Sequence, residues 1–158
     1  MVMIYDIESV VPFFSRSELD GMGNILSLDL PNFKFDEDYL ADVIEYNGAR
    51  PITRCILLPS GEKISIERFL NYSDLKRISD VALRSFNANV VWSAIEDRLN
   101  IYLLPFAALS GGDFLCFDYE AGFPPQIVYW RHDLSEEGSP SIEFVANSFR
   151  ELKDGSSC

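Results

Sequence analysis

The chain has 158 residues and a mass of 17.9 kDa, which at roughly 100 to 200 residues per domain describes one domain. Surface scaling gives about 8,000 Å² folded against about 26,000 Å² unfolded, enough burial for a core without staples, and 47% hydrophobic with 24% charged residues excludes a disordered tail. Twenty-five acids against thirteen bases leave a net charge of −12, shared evenly as −6 up to residue 80 and −6 beyond it; that field repels phosphate backbones and anionic lipid and attracts basic partners, so direct nucleic-acid or membrane binding is not expected.

Asp6 and Glu8 stand where a secretory leader would need bases followed by an apolar run. The longest apolar stretch, residues 101–109, is interrupted by Pro105 and is far below the roughly 18 residues that span a bilayer. Cys55, Cys116 and Cys158 are odd in number and lack a CxxC pair, which reads as three reduced thiols in a cytoplasmic protein. The sequon at Asn71 is then incidental.

In chain order, the first thirty residues read as irregular or short helical structure, with Gly21 and Gly23 as breaks. Asp36 can cap a helix in which Tyr39, Leu40, Val43 and Ile44 share an apolar face and Asp38, Asp42 and Glu45 the polar one. Asn47 and Gly48 suit its C-terminal end, and Pro51 prevents resumption. CILL at 55–58 and KISI at 63–66, separated by Pro59, Ser60 and Gly61, predict a hairpin. A helix is expected over 73–86, then a second capped by Asn89 with Val91, Trp92, Ile95 and Leu99 on one face and Glu96 and Asp97 toward water. After Leu104, Pro105 and Phe106 a Gly111-Gly112 turn leads to a strand over 114–119, a Gly122-Pro124-Pro125 break and a strand over 126–130. A polar loop precedes a strand over 142–146, and Asn147 or Ser148 caps a closing helix. The gaps between the last strands permit antiparallel pairing only, so the fold class is α+β, a mainly antiparallel sheet with helices packed around it.

Five segments in this order carry a resemblance: Leu30-Pro31 with YNGARP at 46–51; Phe69-Leu70; LLPFA at 103–107 with GGDFLCFDY at 111–119; IVYWRHD at 127–133; and VANSF at 145–149. Together they resemble the SUKH superfamily of bacterial toxin-immunity proteins and fungal cell-wall-synthesis regulators. Asn147 stands where that family usually has Asp, and the residues before Leu30 match poorly. The resemblance implies a SUKH-like domain, no reaction and no cofactor, and a role in binding a protein, commonly a toxin. It also marks Leu30, Pro31, Asn47, Gly48, Pro105, Gly111, Gly112, Asp113, Asp118, Trp130, His132, Ser148 and Phe149 as motif residues whose expected role is structural.

Other chemistry can be weighed against packing. GGDF at 111–114 resembles a cyclase signature, but the nearest bases in sequence are Arg98 and Arg131, and a tight turn feeding a strand explains it better. Asp113, Asp118, His132 and Asp133 could be imagined around a metal, or the first three as a small hydrolase; strand parity puts Asp113 and Asp118 on opposite faces, and one His without a spaced partner is a poor ligand set. Cys116 lies inside an apolar strand without a cation to activate it, and Ser148 has no nucleophile elbow around it.

The acidic runs point to a contact surface. Asp29, Asp36, Glu37, Asp38, Asp42 and Glu45 against Lys34 alone give −5 over residues 29–45, and most are expected on the solvent side. A second set, Asp118, Glu120, Asp133, Glu136 and Glu137, leaves the strands on loops. Either could be a solvated face, or the face that meets a toxin with a basic, phosphate-binding cleft. The leading expectation is an immunity protein that blocks a nuclease-type toxin by stoichiometric binding; the alternative is a regulatory module for cell-wall or secretion components.

Overall fold

The computed structural model describes residues 3–53 and 55–155. Six strands, β1 (Cys55–Leu57), β2 (Lys63–Phe69), β3 (Leu103–Leu109), β4 (Phe114–Asp118), β5 (Gln126–Trp130) and β6 (Ile142–Ala146), form one sheet in sequence order. Every neighbouring pair is antiparallel. Helices α1 (Arg16–Ser27), α2 (Glu37–Tyr46), α3 (Val81–Ser85), α4 (Ala88–Ile95) and α5 (Phe149–Asp154) complete the α+β architecture, and the accessible surface of 8053 Å² matches the value scaled from mass.

Several elements differ from the sequence reading. The opening thirty residues hold α1, twelve residues long, in which Gly21 and Gly23 are accommodated rather than acting as breaks. Its start is a capping pair: Ser15 Oγ accepts from the Glu18 N–H at 3.2 Å. The stretch 73–86 is not one helix but a 3₁₀ turn at Leu75–Arg77 followed by the short α3. Asn87, not Asn89, caps α4, accepting from the Asn89 and Val90 N–H groups.

The largest omission is β3. Its seven residues are all buried, yet Pro105 in the middle has no N–H to give a ladder. The register shifts between Pro105 and Ala107, so the proline sits at a bulge, where a missing donor is tolerated.

The α2 reading holds at both ends but not around the whole face. Asp36 caps it by accepting from the Tyr39 N–H at 3.0 Å, and Gly48 beyond its end has φ of +65°. Tyr39 and Val43 are buried, whereas Ile44 is exposed. Tyr39 meets Phe106, Phe117 and Phe149 edge-on at 5.7, 4.9 and 5.5 Å between ring centres. Phe106 in turn stacks on Phe117 at 4.2 Å. α2, α5, β3 and β4 thus share one aromatic cluster. Trp130 is fully buried, with Phe114 at 6.0 Å beside it and its indole N–H donating to the Arg98 carbonyl.

Cys116 is a free, buried thiol whose pKa burial pushes up. Cys55 is disulfide-bonded, which corrects the expectation of three reduced thiols; Cys158 lies outside the described residues. Among the described residues, no helix is long and apolar enough to cross a membrane. Asn71 of the sequon is fully buried, its amide donating to the Leu83 carbonyl.

The junction after α2 fixes how the helices meet the sheet. Buried Asn47 donates to the Val11 carbonyl and Ser73 Oγ, both at 3.0 Å, and accepts from the Tyr72 N–H at 2.8 Å. A Cβ on Gly48 would lie 2.7 Å from Asn71 Cβ and 2.8 Å from Val11 Cγ2. Asn47→Ala should therefore cost about 3 kcal/mol by stranding buried partners. Gly48→Ala should cost more than the roughly 1 to 2 kcal/mol that the left-handed conformation alone imposes on a residue with a Cβ. Urea unfolding of the two variants reads both figures.

Candidate functional site

The acids of α2 are largely engaged by the fold. Asp36 is buried as the cap, and Asp42 accepts from the Tyr5 hydroxyl and pairs with Lys153 of α5 at 2.9 Å. Asp38 pairs with Arg150 of α5 at 3.0 Å. Only Glu37 and Glu45 of this set are fully exposed on the helix. The expectation that most of the run faces solvent is thus corrected for Asp36 and Asp42: the helix also has to cap itself and anchor α5. Asp29 is exposed at the other end of the run, beyond α1.

The second acidic set is differently placed. Asp133, Glu136 and Glu137 are exposed on the β5–β6 loop, whose backbone is held from several sides. Arg131 N–H donates to the Ser141 carbonyl, Gly138 N–H to the Asp97 carbonyl, and Ser141 N–H to buried Ser135 Oγ. Three acids therefore project from an ordered loop. Asp118 and Glu120 lie near the far end of β4, where Asp118 accepts from the Glu120 N–H.

The motif residues meet at the turn between β3 and β4. Gly111 and Gly112 have φ of +93° and +94°, a region open to glycine, and Leu109 N–H closes the turn on the Asp113 carbonyl. Both carboxylate oxygens of Asp113 are used. One accepts from the His132 N–H at 2.9 Å and approaches His132 Nδ1 at 2.6 Å; the other accepts from the Tyr129 hydroxyl. The imidazole lies over Gly112, where a Cβ would stand 3.6 Å from the ring. Arg98 bridges onward, with its carbonyl holding Trp130 and its guanidinium donating to the His132 carbonyl at 2.9 Å. GGD and W-x-H are two halves of one lock between the β3–β4 turn and the end of β5.

Elsewhere, Leu30 follows α1 in a turn that Phe33 N–H closes on its carbonyl, and Pro31 is exposed. Ser148 caps α5 by accepting from the Glu151 N–H at 3.1 Å. The Asn147 N–H donates to the Glu151 carboxylate, so the change from Asp leaves this end of the helix held through backbone groups. Phe149 is buried in the aromatic cluster.

Asp113, His132 and Asp133 offer ligand atoms within 4.8 Å of one another. Asp118 does not join them: it ends β4 opposite Gln126 while Phe114 begins it opposite Trp130, a separation from Asp113 of roughly 16 Å. The hydrolase constellation of Asp113, Asp118 and His132 is therefore not assembled. Asp113 moreover spends both oxygens on Tyr129 and His132.

The arrangement is an α+β fold in which the β3–β4 turn is a structural lock and the acids vary in exposure. The model of the SMI1-KNR4 cell-wall family, a branch of SUKH, matches residues 29–152, and the chain belongs to that family. No curated protein matches the chain. Membership supports an immunity or regulatory type of role, in a family whose proteins are generally non-catalytic, and protein–protein interaction in general.

Burial pushes the Asp113 carboxyl up, but hydrogen bonds from Tyr129 and His132 and the His132 charge outweigh it and hold the group below the usual carboxylate range. A folded value below the unfolded one of about 4 makes the lock fully stabilising above that pH and loses it as pH falls through the folded value. Wild type should therefore lose stability more steeply than Asp113→Asn as pH falls below about 4. Urea midpoints across that range compare the two.

Proposed function

We propose that this chain is an immunity protein that neutralises a cognate toxin, of nuclease type, by stoichiometric binding, without catalysis and without a bound metal or cofactor. The observation that carries the proposal is the family match across residues 29–152. The partner's chemistry follows from charge: a protein of net −12 recruits a basic surface, and a nuclease cleft is basic because it holds phosphates. Of the acidic sets, the exposed loop acids Asp133, Glu136 and Glu137 favour contact, since Asp36, Asp38 and Asp42 already serve the fold.

A regulatory module acting on cell-wall synthesis is the second reading, favoured by the cell-wall description of the matched family. Isolation of the protein with its partners from the native host separates the two: a secreted toxin module supports immunity, and a cell-wall synthesis component supports regulation. With the partner in hand, Asp133→Lys, Glu136→Lys and Glu137→Lys together should slow association several-fold at low salt while changing dissociation little, as expected for rim charges. Association rates that ignore both salt and the triple reversal would remove this loop from the contact surface.

A further inference from the structure

The end of the molecule where α1 meets α4 carries a groove of about 250 Å³, which takes in only Asp29 of the two acidic runs. Buried Leu26 and Leu99 lie in its floor, and Ile25, Leu28, Trp92 and Ile101 form its sides. Leu28 is 82% exposed and Ile101 47%. Exposed apolar residues scattered singly need no explanation, but here they converge on one concave surface. The groove is smaller than the roughly 300–1,000 Å³ of small-molecule sites, a size suited to a few anchoring side chains.

Charge selects the occupant. Asp29 and Glu96 stand on the rim, both exposed, and among the described residues no Lys, Arg or His lines the groove. A second copy of this chain would bring its own −12 against that rim, and like charge opposes self-association there. We infer that the α1–α4 groove docks an amphipathic segment of a partner protein, with apolar side chains entering between Leu28, Trp92 and Ile101 and flanking Lys or Arg residues meeting Asp29 and Glu96. This rests on the protein-binding role above and adds a second contact region to it, apolar where the loop acids are electrostatic. The apolar anchors set how long a complex lasts and the rim sets how fast it forms.

The probe is a synthetic 18-residue helical peptide with Leu on one face and Lys on the other, titrated into isotope-labelled full-length protein, with a Leu and Glu peptide of equal length as control. The expected result is saturable shifts at the Trp92 indole N–H and at amides 25–29 and 96–101, weakening with salt and absent with the Glu peptide. Leu28→Asp, at an exposed position that leaves the far-ultraviolet dichroism unchanged, should weaken binding roughly tenfold or more. Asp29→Lys with Glu96→Lys should weaken it several-fold and flatten its salt dependence. Shifts centred on the 131–141 loop, affinity unaffected by Leu28→Asp, no binding at millimolar peptide, or self-association of the free protein through this face would each overturn the proposal. The titration needs no cognate toxin. A partner complex that survives Leu28→Asp sinks the groove and leaves the immunity reading standing, whereas absence of any toxin partner sinks that reading and leaves the titration to judge the groove.

Discussion

Asn47 holds together what the sheet alone cannot. Strand pairing in sequence order is local except between β2 and β3, which are separated by the segment carrying α3 and α4, and α1, α2 and that segment have no ladder to fix them against one another. The Asn47 amide at the end of α2 bonds at once to Val11, in the stretch that leads into α1, and to Tyr72 and Ser73, in the stretch that leads to α4. Asn71, Ser73 and Asn87 extend the network: Asn87 donates to Asn71 Oδ1 and the Ser73 carbonyl, and Arg68 donates to the Gly48 and Ser9 carbonyls. Among the described residues, no buried side-chain nitrogen or oxygen lacks a hydrogen-bond partner. A network satisfied to that degree specifies one arrangement, because any shift of a segment leaves a buried group unpaired. It also explains why Gly48 follows Asn47: only a residue without Cβ fits both the positive φ and the close approach of Asn71 and Val11.

The aromatic cluster then converts that placement into stability. Tyr39 is the shared element, since its ring packs on Phe106, Phe117 and Phe149 while its hydroxyl bonds the Tyr72 hydroxyl at 2.8 Å. One side chain thus belongs to the apolar core and to the segment that Asn47 positions. At the other end of the sheet the Asp113 lock does the corresponding work, tying a turn that only glycines can make to the strand two places away in sequence order.

How legible this was depended on whether the signal was local. The α2 cap, the β1–β2 hairpin and the last three strands follow from spacing and turn residues, and the motif segments identified the fold. β3 escaped because Pro105 argues against a strand by every local rule, and the bulge that accommodates it is a property of the paired sheet. α1 escaped because its two glycines outweighed Ser15 and Glu18, a capping pair that is visible in the sequence. The fate of the α2 acids was not legible at all, since Lys153 and Arg150 lie more than a hundred residues away and reach α2 only through tertiary packing. The groove at the α1–α4 end was hidden for the same reason: Leu28 and Ile101 are unremarkable until folding brings them to one concavity.

These placements change what the net charge of −12 does. An acid paired with a base of α5 is offset at short range, so Asp38 and Asp42 add less to the field a partner meets than an unpaired acid does, and Asp36 is buried in the helix cap. The acids that remain exposed on the loop, on the groove rim and at helix ends shape that field, and salt screens them within about 8 to 10 Å at moderate ionic strength. Charge of this kind recruits a basic surface without holding it, because rim electrostatics act mainly on the rate of encounter. Retention needs desolvated apolar contact, and on the proposed reading the groove at the α1–α4 end is the surface that contributes it. Recruitment and retention would then reside on different elements of one small domain, with the Asn47 network free of any constraint from the partner and the Asp113 lock holding His132 directly beside the loop acid Asp133.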